Sequence, residues 1–125
     1  MATNKKEIVE KINASFTNNN IEGFLEHCAE NVVWTMVGEK TTNGKRAIRE
    51  WMKSMEGTDP PNFTVTNLVA DGEVAVANGD MTMKDQDGKL GKYSYCDIYR
   101  FNGDKVIELT SYLIKTDTQS SIASA

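Results

Sequence analysis

The chain has 125 residues, of which 39% are hydrophobic and 26% are charged. This balance is typical of one globular domain and excludes a disordered chain. The 14 basic and 18 acidic side chains give a formal net charge of -4. Because a nucleic-acid binder needs a basic surface to neutralise phosphates, we expect no nucleic-acid partner.

The N-terminal residues, MATNKKEIVEKI, lack the apolar stretch of a signal peptide, and no apolar run approaches the roughly 18 residues of a membrane span. We therefore expect a cytoplasmic protein without a membrane partner. Cys28 and Cys96 are the only cysteines and lie far apart, which predicts neither a disulfide framework nor a zinc site. With one histidine and scattered carboxylates, the sequence predicts no metal ion and no other cofactor.

Helical periodicity predicts three helices in the first half of the chain. The first covers residues 5–17, where apolar side chains recur with helical spacing after Asn4, which has the position of an N-cap. Residues 21–28 and residues 44–55 show the same spacing and predict the second and third helices.

The remaining segments predict strands. Residues 31–38 are rich in β-branched and aromatic side chains and predict the first strand, whereas residues 39–43 predict a loop. In the second half of the chain, three turn dipeptides separate four strand-like stretches, which predicts an antiparallel meander. These dipeptides are Asp71-Gly72, Asp87-Gly88 and Asn102-Gly103.

The middle strands of this meander each reach about ten residues, so the sheet is expected to twist and curl. Together these elements predict an α+β fold shaped like a cone, with three N-terminal helices packed on a strongly curved, mainly antiparallel sheet. We expect residues 1–115 to form a single domain and residues 116–125 a flexible tail. The sheet face away from the helices also carries apolar groups, including Ile98, which predicts a homodimer.

The segment YSYCDIYRF carries the main candidate for chemistry. Strand alternation places Asp97 on one face with Tyr93, Tyr95, Tyr99 and Phe101. Burial beside aromatic rings raises the pKa of a carboxyl group, and a protonated acid can donate a hydrogen bond to a carbonyl or enolate oxygen. Alternatively, Asp97 accepts hydrogen bonds from Tyr95 or Tyr99 and only orders the wall of a pocket.

Three other side chains have two interpretations each. His27 borders the apolar stripe of the second predicted helix. It is either a base that works near neutral pH or a partly exposed residue with a local partner. Asp80 is a second carboxylate for the pocket, or it belongs to the solvated side of a strand. Trp34 lies in the core or in a cavity wall, because the phase of its strand is not fixed by the sequence.

Three segments resemble the NTF2-like superfamily, which includes SnoaL-like polyketide cyclases and ketosteroid isomerases. They are NNNIEGFLEHCAENVVWTMVG, TTNGKRAIREWM and DIYRFNGDKV. The last is similar to the isomerase segment D-x-F-R-F-N-G, and this resemblance implies that Asp97 is a neutral donor to an enolate oxygen. The slot of the isomerase general base holds Thr35, and the helix-one tyrosine falls near Lys11 or Ile12, so neither of these groups carries over.

We therefore expect a SnoaL-like protein with an apolar pocket, acting as a cofactor-independent isomerase or cyclase on a small apolar carbonyl compound. The residues expected to carry acid and base chemistry are Asp97, His27 and Asp80, and those expected to contact the ligand are Trp34, Thr35, Tyr95 and Tyr99. The alternative is a non-catalytic module of the same fold that binds a small molecule or dimerises.

Overall fold

The structure is a computed structural model, and it describes residues 4–54, 61–84 and 88–116. Its helices are α1 (Lys5–Thr17), α2 (Ile21–Leu25) and α3 (Lys45–Lys53). Its strands are β1 (Cys28–Met36), β2 (Lys40–Asn43), β3 (Asn62–Asp71), β4 (Val74–Lys84), β5 (Leu90–Asn102) and β6 (Lys105–Lys115).

Side-chain caps begin the first two helices. The side chain of Asn4 accepts a hydrogen bond of 2.9 Å from the backbone N–H of Lys6, which confirms the predicted N-cap of α1. Asn20 caps the short α2 by accepting from the backbone N–H of Gly23 at 3.1 Å. Helix α3 is tied to α2 by Arg49, whose guanidinium donates to both carboxylate oxygens of Glu22 at 2.6 and 3.0 Å.

The described strands form one six-stranded sheet in the order β2-β1-β6-β5-β4-β3. Strands β3 to β6 pair antiparallel with their neighbours in the sequence, which confirms the predicted meander. Strand β1 pairs parallel to β6 and antiparallel to β2. Because β2 and β3 lie at the two edges, the sheet is open, and the fold is of the predicted α+β class.

The helices cover one face of the sheet, which we call the inner face; the other is the outer face. The core lies between the helices and the inner face. Side chains of β4, β5 and β6 that face this core include Ala75, Ala77, Tyr99 and Leu109, all fully buried. On the outer face, in contrast, Val69, Tyr112 and Ile114 expose 56%, 42% and 65% of their surface.

Some predicted boundaries were wrong. Residues 39–43 do not form a loop, because Lys40–Asn43 is the edge strand β2. The second helix ends at Leu25, so His27 lies in the turn before β1 rather than on a helix.

Other predictions fall partly or wholly on residues outside those described. These are the end of the third predicted helix at Met55, the turn at Asp87 and most of the predicted tail. Within the described ranges, none of the helices has the length and apolar character needed to cross a membrane.

Candidate functional site

Asp97 lies near the middle of β5 and on the inner face. It pairs with Ala77 of β4 on one side and with Ser111 of β6 on the other. Directly opposed residues of antiparallel strands point to the same face, and Ala77 is fully buried in the core. The residue itself is half-buried. The sequence prediction that Asp97 faces the helices is thus consistent with the strand register.

The environment of Asp97 favours its protonated form. Burial raises the pKa of Asp97 from the ordinary value of 3.8 to about 6, whereas a hydrogen bond from the Ser111 side chain acts in the opposite direction. Among the described residues, no basic side chain shifts this pKa. A carboxyl group with a pKa near 6 can gain and lose a proton close to neutral pH, which suits acid or base chemistry.

Ser111 connects Asp97 to a tryptophan on another strand. The indole Nε1–H of Trp34 donates to Ser111 Oγ at 3.0 Å. Ser111 pairs directly with Asp97 across β5 and β6, and its side chain is the hydrogen-bonding group that lowers the pKa of Asp97. The Trp34 side chain therefore lies on the inner face. Its ring contacts one aromatic ring from each helix, those of Phe16, Phe24 and Trp51, with centroid distances of 5.9, 5.4 and 5.1 Å.

The tyrosines next to Asp97 on β5 have different roles. Tyr95 donates from its hydroxyl group to the backbone carbonyl of Thr64 at 2.9 Å, and its ring meets that of Phe63 edge-on at 5.9 Å. Burial, and then the charges of Asp97 and Asp80, raise the pKa of Tyr95 to about 12. Its hydroxyl group is therefore neutral at physiological pH and already engaged in holding β3.

Tyr99 is fully buried, and its hydroxyl group has no hydrogen-bond partner among the described residues. Burial, followed by the charge of Asp97, raises the pKa of Tyr99 well above the ordinary value. Asn13 of α1, which is 8% exposed, likewise has a buried amide nitrogen without a partner in the described part of the chain.

The other predicted site residues are not brought to Asp97. Thr35 follows Trp34 on β1 and so lies on the outer face, where its hydroxyl group is 3.3 Å from that of Thr41. Asp80 pairs with Ser94. An odd number of positions separates it from the inward-facing Ala77 on the same strand, so it lies on the outer face. It is exposed, and the Ser94 hydroxyl group donates to it at 3.3 Å.

His27, in the turn before β1, lies beside the first residues of β6 and away from Ser111. Its carbonyl oxygen accepts from the backbone N–H of Val106 at 2.8 Å. Val106 precedes Ser111 by five positions, which is about 16 Å along a strand. Burial is the largest effect on His27 and lowers its pKa. His27 is therefore remote from the carboxyl group with which it was expected to act.

No group of three or more metal-binding side chains occurs among the residues that the structure describes. Two surface clefts lie away from Asp97. The first, of about 720 Å³, lies between β1 and the β5–β6 hairpin, and its lining includes Asn31, Arg100 and Lys105. The second lies between β2 and α3 and includes Thr42 and Trp51. The pocket beside Asp97 stays a prediction.

Ser111 and Asn13 were missed by the sequence analysis. The signal for Ser111 was present, because it is two positions from Leu109 and therefore on the same face of β6. Asn13 gave a weaker signal, since it follows the buried Ile12 within the apolar stripe of α1. Neither residue type marks a site by itself, so only the three-dimensional arrangement connects them with the interior.

Comparisons with known proteins agree with this architecture. Residues 9–109 match the family profile of the SnoaL-like domain. None of the curated proteins matches the sequence.

Among solved structures, an NTF2-like protein of unknown function from Cytophaga hutchinsonii has a TM-score of 0.71 and 24% identity, covering 89% of this chain and 100% of its own. A second such protein of unknown function, from Burkholderia pseudomallei, has a TM-score of 0.80 and 15% identity, covering 87% and 89%. An LEH-like epoxide hydrolase from M. tuberculosis has a TM-score of 0.78 and 14% identity, covering 87% and 81%. At these identities, the similarity establishes a common fold.

Proposed function

Because the chain belongs to the SnoaL-like domain family, we propose that it binds a small apolar carbonyl compound in a cone-shaped pocket between helices and sheet, where Asp97 acts as an acid. The observation that carries this proposal is a carboxyl group on the helix-covered face whose pKa is raised to about 6 by burial. The fold alone does not select an activity, since one scaffold supports many reactions.

The chemistry follows from what a protonated carboxyl group can do. It donates a hydrogen bond to a carbonyl oxygen, and this bond strengthens as negative charge develops on that oxygen during enol formation. Isomerisation and ring closure of carbonyl compounds both pass through such charge.

A second candidate function is binding without turnover. It is supported by the distance of His27 from Asp97 and by the outward positions of Asp80 and Thr35. Without a second group to accept a proton from carbon, Asp97 would hold the carbonyl oxygen and no reaction would follow. The two candidates differ in whether hydrogen atoms next to the carbonyl group are removed.

The probe for this proposal is 1-tetralone, an apolar bicyclic ketone whose oxygen only accepts hydrogen bonds. If protonated Asp97 is the donor, the apparent affinity scales with the protonated fraction, which falls as pH rises through about 6. We expect calorimetric titration to show binding at least roughly tenfold tighter at pH 5 than at pH 8. Tetralin, which lacks the oxygen, should show no such difference.

The matched variant is Asp97→Asn, whose amide donates at every pH. Its affinity for 1-tetralone should be independent of pH. Failure of 1-tetralone to bind, or binding to the unsubstituted protein that does not change with pH, would contradict the proposal. If the ketone binds, incubation in D₂O separates the two functions: deuterium entering beside the carbonyl group indicates an enzyme, and no exchange indicates a binding module.

We also propose that the protein is a homodimer joined through the outer face. The exposed side chains of Val69, Tyr112 and Ile114 support this, because exposed apolar groups on one sheet face are typical of an interaction surface. We expect the variant with both Tyr112→Lys and Ile114→Lys to sediment as a monomer. Val37→Lys, at an exposed apolar residue beyond the end of β1, is the control and should stay dimeric. A monomeric unsubstituted protein would exclude the interface.

A further inference from the structure

We propose that Ser111, held by the indole of Trp34, is a positioning residue that determines which oxygen of the Asp97 carboxyl group carries the proton. This inference rests on the proposed function in one respect, namely that Asp97 meets the ligand oxygen. The arrangement of Trp34, Ser111 and Asp97 itself comes from the strand register and from the hydrogen bond that Trp34 donates to Ser111.

Ser111 is fixed on both sides by the backbone. Its strand β6 lies between β5 and β1, so Ser111 pairs with Asp97 on one side and with Met36 on the other. Its carbonyl oxygen accepts from the backbone N–H of Val37 at 2.9 Å. The residue is 6% exposed. The backbone is held by these pairings, and the side chain is held by burial and by the hydrogen bond that its Oγ accepts from Trp34.

The donors and acceptors in this chain have a definite order. An indole N–H can only donate, so Ser111 Oγ is the acceptor in its 3.0 Å bond with Trp34. The hydroxyl proton of Ser111 is then available for Asp97, and an ionised carboxylate can only accept. The direction of donation is therefore Trp34 to Ser111 to Asp97, and each bond polarises the next.

Protonation of Asp97 leaves this direction intact. If the proton added to the oxygen nearest Ser111, the Ser111 hydroxyl group would need a different acceptor, and the described hydrogen bonds provide none. The proton therefore adds to the other carboxyl oxygen. That oxygen is the one that does not accept from Ser111, and under the proposed function it is the oxygen that meets the ligand.

No charged group facing Asp97 among the described residues competes with this arrangement. Its partners across the strands, Ala77 on β4 and Ser111 on β6, do not titrate in the relevant range. The titratable groups that respond to its charge are Tyr95 and Tyr99 on the same face and Cys96 on the outer face, and the pKa of each is raised. All three stay neutral between pH 4 and pH 8, so the titration of Asp97 can be followed separately.

The first test follows the carboxyl carbon of Asp97 by NMR as a function of pH. Ser111→Ala removes a bond to the ionised form, so we expect the midpoint to move to higher pH, with roughly tenfold tighter proton binding. Ser111→Thr keeps the hydroxyl group and should restore the original midpoint. Trp34→Phe tests the same donation without altering Ser111 and should move the midpoint in the same direction by less. An unchanged midpoint in Ser111→Ala, or no restoration by threonine, would overturn the inference.

The second test separates proton placement from proton affinity, using 1-tetralone at pH 5, where Asp97 is mainly protonated in every variant. Ser111→Ala should bind the ketone roughly fivefold more weakly, because the proton is no longer directed toward the ligand. If Ser111 only tuned acidity, this variant would bind equally well or more tightly, and the inference would be wrong. If the unsubstituted protein does not bind 1-tetralone, the proposed function fails, whereas an unchanged NMR midpoint in Ser111→Ala overturns the inference about Ser111 whatever the ketone does.

Discussion

Asp97→Asn is expected to raise the free energy of unfolding at pH 8 by about 3 kcal/mol while removing any reaction that needs a proton from this residue. The stability gain follows from the pKa of Asp97, which burial raises from 3.8 to about 6. A carboxyl group whose pKa is higher in the folded state than in the unfolded state lowers stability once the pH is high enough to ionise it. The cost is about 1.4 kcal/mol for each unit by which the two pKa values differ. Asparagine carries no charge and avoids this cost.

The sign of the pH dependence is fixed by proton binding. Between pH 3.8 and about 6 the folded state holds more protons on Asp97 than the unfolded state does. The stability contributed by this group therefore falls as pH rises through that window and is fully lost above it. Below pH 3.8 both states are protonated, so the aspartate and asparagine proteins should differ little there.

Urea unfolding of both proteins at intervals from pH 4 to pH 8 measures this difference. The gain in the free energy of unfolding from Asp97→Asn should be small at pH 4 and reach its full value above about pH 6. Asp80→Asn makes the same chemical change at an exposed residue of the outer face, and it should alter stability by less than about 0.5 kcal/mol throughout. A difference between the Asp97 proteins that does not vary with pH would show that the carboxyl group is not desolvated.

The consequence for function is a separation of binding from proton transfer. The amide oxygen of asparagine can still accept from Ser111, and its N–H can still donate to a ketone. It cannot deliver a proton. A protein that becomes more stable, still binds 1-tetralone and no longer exchanges hydrogen with D₂O would therefore show that Asp97 is retained for chemistry at a cost in stability.

Much of the fold could be predicted from periodicity because the apolar positions of α1 and of the meander strands follow the regular spacing of their elements. Strand β2 could not be predicted in this way. It has four residues, its sequence is polar, and only Thr42 is buried, so no alternation of apolar residues marks it. Its conformation comes from pairing with β1, which is a tertiary effect.

The candidate site was predictable only within a single strand. Alternation along β5 was sufficient to place Asp97 with Tyr95 and Tyr99. The bond from Trp34 to Ser111 joins residues 77 positions apart, through the parallel pairing of β1 with β6. No local pattern determines that register. Alternation along β4 left Asp80 with two interpretations, and its pairing with Ser94 places it on the outer face.

The interior beside Asp97 also depends on a glycine. Strand β3 has a bulge between Val65 and Asn67, opposite Gly79 of β4. A Cβ atom added at Gly79 would overlap the carbonyl oxygen of Thr64 and lie 2.9 Å from its carbonyl carbon. These are backbone atoms, which cannot move aside as the end of a flexible side chain can. The same carbonyl oxygen accepts the hydrogen bond from Tyr95, so glycine permits both the bulge and this contact.

Gly79→Ala should therefore lower the free energy of unfolding by about 3 kcal/mol, because the methyl group separates β3 from β4 and removes the acceptor of the Tyr95 hydroxyl group. Gly91→Ala is the matched control on β5, where the atoms nearest to the added Cβ belong to the side chain of Tyr93, from 3.0 Å, and this side chain can rotate. We expect the control to lose less than about 1 kcal/mol in urea unfolding. Equal losses in the two variants would mean that alanine in a strand, rather than the close approach of Thr64, causes the effect.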